Sequence, residues 1–211
     1  MAVQSQDIIL RDRYVAGNRK DYAQGLVQYA TIPMAFEVQA VLEIDPIQDG
    51  LGGLALREEK LETPYIKDYD VDFGNTPTLW AGQFDLQNWG IFLGIQDNQP
   101  IAGIAVAYRT PDTDLCEGRD DLAVLWDIRV HPHYAQRGIG SQMFQHGVTW
   151  AREKGCTQLK IETQNINIPA CRFYAKQGCH LGSIHQYAYQ ASPDVQHEMM
   201  LLWYLKLQIS V

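Results

Sequence analysis

The sequence has few cysteines, no long apolar run and fewer basic than acidic residues, and each shortage excludes a class of protein. Four cysteines in 211 residues, without metal-ligand spacing, argue against a disulfide-rich secreted domain and against a zinc site. No run approaches the roughly 20 apolar residues that cross a bilayer, and the first residues lack the basic start and apolar stretch of a signal peptide. With 17 basic against 25 acidic residues, nucleic-acid binding is disfavoured. We therefore expect a cytoplasmic protein that uses no metal and binds neither membrane nor nucleic acid.

The remaining composition is that of a globular protein, with 46% hydrophobic and 20% charged residues. The length suits one well-buried core, and we expect an N-terminal arm or helix over residues 1–31 followed by one domain over residues 32–211. Many of the acidic residues lie in the first half of the chain. A surface of that charge attracts a cationic small molecule, but an ordinary solvated surface has the same composition.

Apolar periodicity predicts strands and helices in alternation, which favours an α/β layered fold. Strands are predicted over residues 34–44, 90–95, 100–109, 122–130, 157–163, 179–184 and 199–207, and helices over residues 14–29, from Gly140 to about Gly155, and over residues 167–177. The apolar run Met199–Leu205 is typical either of an interface strand in a homodimer or of a buried central strand.

A glycine-spaced turn, Gly138-Ile139-Gly140, separates the predicted strand ending near Val130 from the helix that follows. The N-terminus of a helix offers free backbone N–H groups and a positive dipole end, which together bind phosphate. The dinucleotide fingerprint requires a third glycine where this chain has Met143, and the P-loop requires a lysine where it has Ser141. The turn therefore predicts a site for another kind of pyrophosphate-bearing molecule.

A second motif follows about thirty residues later, and the two segments together resemble the GNAT superfamily of acyl-CoA-dependent N-acetyltransferases. The second motif matches at Asn167, Ala170, Phe173, Tyr174 and Gly178, with Cys179 in place of the usual phenylalanine. In the first motif, Ala135 stands where the superfamily has arginine or glutamine, with Gln136 and Arg137 shifted along the chain. The resemblance implies a mixed, mostly antiparallel central sheet flanked by helices in a single domain, with acetyl-CoA as cosubstrate.

Within the superfamily, the segments Glu162-Thr163-Gln164, Tyr187-Ala188 and Leu202–Leu205 are similar to streptothricin acetyltransferases. This resemblance implies acetyl transfer to a primary amine of a cationic small molecule, of the streptothricin type, and hence a role in antibiotic resistance. The alternatives are a protein or peptide acetyltransferase and a non-catalytic acyl-CoA-binding module. The acidic first half favours the small-molecule enzyme, and Tyr174 argues against the non-catalytic module.

The resemblance also implies residue roles. Tyr174 takes the place of the superfamily's general acid, which protonates the departing thiolate. The thioester is expected beside Ile128, Arg129 and Val130, where a backbone N–H polarises its carbonyl. The implied cofactor-binding residues are Ile128, Arg129, Val130, Arg137, Gly138, Ile139, Gly140, Ser141, Asn167, Ala170 and Lys176.

Two carboxylates on adjacent predicted strands, Asp127 and Glu162, are candidates for the general base or for acceptor binding. Asp127 alternates with the apolar set Trp126, Ile128 and Val130, which predicts that its side chain lies on the opposite face of the strand from Ile128. A solvated or salt-bridged carboxylate would give the same pattern. A water-mediated route without a dedicated base is a further alternative.

Overall fold

The computed structural model describes residues 9–11, 19–72, 74–111 and 113–208, which form two compact units. The first unit takes the described chain up to Met34, then Tyr69–Ile161, and again from Lys206; the second takes Ala35–Asp68 and Glu162–Leu205. The helices are α1 (Arg19–Tyr29), α2 (Tyr69–Asp72), α3 (Pro77–Gln83), α4 (Ile139–Glu153) and α5 (Ile168–Lys176). The strands are β1 (Ile9–Arg11), β2 (Ala35–Pro46), β3 (Leu54–Asp68), β4 (Gly90–Gln96), β5 (Gln99–Tyr108), β6 (Leu122–Val130), β7 (Gln158–Gln164), β8 (His180–His185) and β9 (Met200–Lys206).

The sheet of the first unit has the order β1-β4-β5-β6-β7. All neighbours in it are antiparallel except β6 and β7, which run parallel because α4 carries the chain from one to the other. The two predicted strands over residues 90–95 and 100–109 are confirmed as β4 and β5, which form a hairpin. Its two turn residues, Asp97 and Asn98, have φ of 50° and 61°, the positive values that a type I′ hairpin turn requires.

Helices cover both faces of this sheet. On one face α4 buries Met143, Phe144 and Val148, and it lies so close that a Cβ added to Gly147 would come 2.6 Å from Ile104 Cδ1. On the other face, Tyr29 of α1, Trp80 of α3 and Trp89, which immediately precedes β4, form an aromatic core. The predicted strands and helices of this unit therefore bury the apolar sides that their periodicity indicated.

The pairing of β5 with β6 contains a β-bulge. Ala105 pairs with Asp127 but Val106 pairs with Leu125, so Trp126 is an extra residue in β6. As a result the side chains of Trp126 and Asp127 both face the aromatic core, where Trp126 packs against Trp89 and Asp127 meets Tyr29. Strict alternation would place Trp126 on the face opposite Asp127, and the bulge brings the two side chains to the same face.

The second unit contains the β2–β3 hairpin, helix α5 and a set of strands in which β9 lies between the end of β7 and β8. Asn165 joins these parts. Its backbone C=O and side-chain Nδ2 bond the backbone of Leu42 in β2, and its backbone N–H and Oδ1 bond the backbone of Met199. The apolar run Met199–Leu205 thus forms an interior strand, and the homodimer stays a prediction.

The predicted fold class, a mixed and mostly antiparallel sheet flanked by helices, is confirmed. β3 and α3 were not predicted, and part of the predicted N-terminal helix over residues 14–29 falls outside the described residues. The boundary at residues 31 and 32 stays a prediction, although Tyr29 and Ile32 are both buried in the core. Among the described residues, none of the helices is both long and apolar enough to span a membrane, and there is no group of three or more His, Cys, Asp and Glu that could hold a metal ion.

Candidate active site

The N-terminus of α4 forms an open cradle of backbone N–H groups. Gly138 begins it with φ of 80°, and the first helical hydrogen bond runs from Gln142 N–H to Gly138 O at 3.1 Å, so the N–H groups of Ile139 and Gly140 precede the helical ladder. A Cβ at Gly138 would have no heavy atom within 4 Å. The cradle is therefore accessible, and its donors and helix dipole suit a phosphate group.

Arg137 adds a positive charge to this turn. Its Nη2 donates to His133 O at 2.9 Å, and its guanidinium lies 5.2 Å from the centre of the Tyr134 ring. These contacts hold an otherwise exposed side chain beside Gly138. The turn thus combines backbone donors with a fixed cation, although Ala135 cannot supply the side-chain contact that is usual in the superfamily.

One edge of β6 carries backbone donors that β5 does not use. His131 N–H donates to Ile101 O at 2.8 Å, so by alternation the N–H of Arg129 also points toward β5, and those of Ile128 and Val130 point the other way. Along this edge, in the described stretch from 113 to 208, the parallel pairing with β7 covers only Leu122–Leu125. The N–H groups of Ile128 and Val130 are therefore oriented as donors for a carbonyl oxygen.

The side chain of Arg129 lies in a buried ionic network of the first unit. Arg129 is only 3% exposed, and its guanidinium donates to both oxygens of Asp70 at 2.9 and 3.0 Å, to both oxygens of Asp127 at 2.9 and 2.6 Å, and to Ile32 O at 3.0 Å. Because its guanidinium already binds these three partners, the predicted contact of Arg129 with the cofactor is left to its backbone, between Ile128 and Val130.

Asp127 is the centre of that network. Its Oδ1 also accepts the hydroxyl of Tyr29 at 2.6 Å. Burial alone would lower the pKa of Arg129, but the negative charge and hydrogen bonds of Asp127 and Asp70 raise it above its ordinary value. Burial, and then the charge of Asp127, also raises the pKa of Tyr29. An Asp127 that accepted a proton would lose its ion pair, so this geometry favours a structural role for it.

In the second unit, α5 carries the motif residues. Asn167 caps the helix, and its Oδ1 accepts from Ala170 N–H at 3.1 Å. The side-chain oxygen that was predicted to contact the cofactor is therefore already used by the cap. Tyr174 is buried at 6% exposure, with its ring edge against Phe173. Lys176 is exposed in the last turn.

Glu162 stands at the end of β7 in a polar cluster with Gln164 and Tyr189. Its Oε1 accepts the Tyr189 hydroxyl at 2.6 Å, and Tyr189 in turn accepts from Gln164 Nε2 at 2.7 Å. The roles of Tyr189 here, and of Tyr29 and Asp70 in the first unit, were not predicted. No local pattern marks these three residues, because each meets its partner only through the fold.

Comparison with known proteins defines the class. The chain matches the model of the Acetyltransferase (GNAT) family over residues 55–179 and belongs to that family. It is therefore an acetyl-CoA-dependent N-acetyltransferase, as the resemblance implied.

Within this family, the chain is similar to several streptothricin acetyltransferases. The chain is 33% identical to streptothricin acetyltransferase of Escherichia coli over 67% of this chain and 71% of the relative, and 28% identical to streptothricin acetyltransferase A of Bacillus subtilis (strain 168) over 71% and 78%. A solved structure similar in fold is that of a protein assigned as a streptothricin acetyltransferase from Bacillus anthracis str. Ames, in complex with acetyl coenzyme A. It has a TM-score of 0.71 and 22% identity, over 95% of this chain and 99% of that one.

Proposed function

We propose that this protein transfers the acetyl group of acetyl-CoA to a primary amine of a cationic small molecule, with streptothricin-type antibiotics as the leading acceptors. The observation that carries the proposal is the similarity to streptothricin acetyltransferases from several bacteria, at 28–33% identity over at least 67% of this chain. The formal net charge of −8 adds a long-range attraction for cations.

In this proposal the first unit binds the cosubstrate. The cradle at Gly138, Ile139, Gly140 and Ser141, with Arg137 beside it, takes the pyrophosphate of acetyl-CoA. One of the N–H groups of Ile128 and Val130 donates to the thioester oxygen, which gains negative charge as the amine attacks. The role of these donors follows from their orientation away from β5.

Glu162 and Tyr174 supply the proton chemistry in this proposal. Glu162 takes a proton from the acceptor's ammonium group, and the neutral nitrogen attacks the thioester carbonyl carbon. The carbon–sulfur bond then breaks as the Tyr174 hydroxyl gives its proton to the departing thiolate, and the nitrogen loses its second proton, which restores the Tyr174 hydroxyl through water and leaves a neutral amide and a free thiol. Asp127 is not assigned as the base because its carboxylate forms a buried ion pair with Arg129.

The acceptor is tested by measuring thiol release from acetyl-CoA with streptothricin and, in parallel, with a lysine-containing peptide. We expect kcat/KM for streptothricin to exceed that for the peptide by at least about a hundredfold, because one directed ammonium–carboxylate contact and shape complementarity favour the compact cation. Faster turnover of the peptide would instead support the protein or peptide acetyltransferase. Binding of acetyl-CoA without thiol release for any amine would support the non-catalytic module.

The cradle is tested by Gly138→Ala. The added methyl group strains a residue with positive φ, and it projects from the turn whose backbone is proposed to contact the phosphate. We therefore expect the KM for acetyl-CoA to rise about tenfold, which corresponds to about 1.4 kcal/mol of binding free energy. Gly118→Ala is the matched control, since Gly118 is exposed, has φ of 62° and has nothing within 4 Å of its Cβ position. If both variants raise this KM equally, backbone strain rather than the cradle explains the effect.

A further inference from the structure

The part of β6 that follows the bulge is held by side-chain bonds to other elements of the first unit. Asp127 Oδ1 accepts the hydroxyl of Tyr29 in α1 at 2.6 Å, and both Asp127 oxygens accept from the Arg129 guanidinium at 2.9 and 2.6 Å. The same guanidinium donates to Ile32 O, just after α1, and to Asp70 of α2. We call these bonds the β6 clamp, because they tie two residues of the strand to three points elsewhere in the unit.

The ring of Tyr29 has a fixed place in this clamp. It is fully buried and lies on Gly103, the β5 partner of Arg129, so closely that a Cβ added to Gly103 would come 2.5 Å from Tyr29 Cε2. Trp80 meets the ring edge-on with 5.5 Å between ring centres, and the Arg129 guanidinium lies 5.1 Å from the ring centre. Because backbone and two side chains confine the ring, its hydroxyl holds Asp127 in one position.

The clamp lies where β6 leaves β7. In the described chain the parallel pairing of the two strands ends at Leu125, and the extra residue of the bulge, Trp126, follows at once. Beyond the bulge, the N–H groups of Ile128 and Val130 point away from β5, toward the edge where that pairing has ended. The clamped residues 127 and 129 stand on either side of Ile128, and residue 129 directly precedes Val130. The clamp therefore fixes the backbone that carries both donors.

We propose that Tyr29 is a positioning residue for acetyl transfer: through Asp127 it fixes the backbone N–H group that donates to the thioester oxygen. This proposal rests on the proposed function, in which that donor belongs to Ile128 or Val130. A donor that is placed in advance stabilises the developing negative charge without reorganising during the reaction. A small displacement of the donor weakens that stabilisation. Tyr29 touches neither substrate and acts through the strand.

The kinetic test is Tyr29→Phe, which keeps the ring and removes only the hydroxyl. With streptothricin, or whichever amine turns over fastest, we expect kcat to fall about tenfold and the KM for acetyl-CoA to stay within about twofold, because the donor acts on charge that develops after binding. Tyr108→Phe is the matched control and should keep the wild-type kcat. Tyr108 is also a buried tyrosine of the first unit, at 6% exposure, and its hydroxyl donates to Lys154 O.

A second measurement reports the donor without turnover, namely the infrared carbonyl stretch of bound acetyl-CoA that is isotopically labelled at the thioester carbonyl. A hydrogen bond to the oxygen lowers this frequency, so the band should move to higher frequency in Tyr29→Phe and stay in place in Tyr108→Phe. The proposal requires both changes: an unmoved band, a wild-type kcat in Tyr29→Phe, or an equal fall of kcat in both variants would overturn it. If the wild-type protein releases thiol with no amine, the proposed function fails instead, and the band alone decides whether Tyr29 positions the donor.

Discussion

Arg129→Met is expected to lower the free energy of unfolding by about 3–5 kcal/mol, the usual cost of removing one partner from a buried ion pair. Methionine fills much of the volume of arginine but donates no hydrogen bond. The carboxylates of Asp127 and Asp70, which are 8% and 18% exposed, would then face each other without the guanidinium that now bridges them. Ile32 O would also lose its donor.

The loss is measured by urea denaturation, as a lower midpoint at unchanged slope. Arg119→Met is the matched control. Arg119 also forms a two-pronged bond with a carboxylate, that of Asp121, but its side chain is 36% exposed, so water replaces the lost partner and the midpoint should move far less. Equal losses in the two variants would mean that the buried Arg129 ion pairs contribute no more to the free energy of unfolding than the half-exposed pair of Arg119.

The double variant Arg129→Met, Asp127→Leu identifies the cause. If uncompensated charge is responsible, removing one carboxylate should recover part of the lost stability, because a buried pair replaced by apolar groups is often close to neutral. A double variant that is less stable than Arg129→Met alone would point to lost packing instead.

The β6 region shows where sequence periodicity succeeds and where it fails. The residues from Leu122 to Val130 alternate well enough to predict the strand, and Asp127 does lie opposite Ile128, which pairs with Ile104 on the α4 face. The bulge at Trp126 has no signature in the sequence, because it arises from pairing with β5. It turns Asp127 toward Tyr29 and so changes a candidate base into a member of an ionic network.

The hairpin partner of β2 was missed for a different reason. Strand β3 is exposed along most of its length and contains Pro64 and a run of charged residues, so it lacks the apolar alternation that indicates a strand. Pairing with β2 holds it, together with ion pairs such as Arg57 Nε with Asp45 Oδ2 at 2.9 Å. Such contacts exist only after the hairpin has formed.

The residues of the candidate site also fall into two groups, those that could be predicted from the sequence and those that could not. Motif residues that act through local structure, namely the Gly138 turn and the Asn167 cap, could be predicted because turn and cap chemistry depend on neighbours in sequence. The partners of the charged groups could not: Asp70 lies 59 residues from Arg129, and Tyr189 lies 27 residues from Glu162. Only the tertiary fold decides which groups each carboxylate meets.

Tyr174→Phe is expected to lower kcat by at least about tenfold, because proton donation to a leaving group contributes roughly two to four decades to a rate and water can replace part of it. The KM for acetyl-CoA should stay within about twofold, since the hydroxyl acts mainly once the carbon–sulfur bond begins to break. The measurement is thiol release at saturating acetyl-CoA, with the pyrophosphate cradle intact.

Tyr108→Phe is the control for loss of a buried hydroxyl. Tyr108 is 6% exposed, the same as Tyr174, and its hydroxyl donates one long hydrogen bond of 3.4 Å to Lys154 O. Neither Tyr108 nor Lys154 has a role in the proposed proton chemistry. Both variants should unfold at similar urea concentrations, and only Tyr174→Phe should lose turnover. If Tyr174→Phe keeps the wild-type kcat at saturating amine, then the thiolate takes its proton from another donor, and the protein needs no acid on α5. If it instead loses turnover and stability together, the hydroxyl supports the helix rather than the reaction. An acyl donor with a more acidic leaving thiol separates the two roles, because it should restore the rate only if the lost hydroxyl acted as the acid.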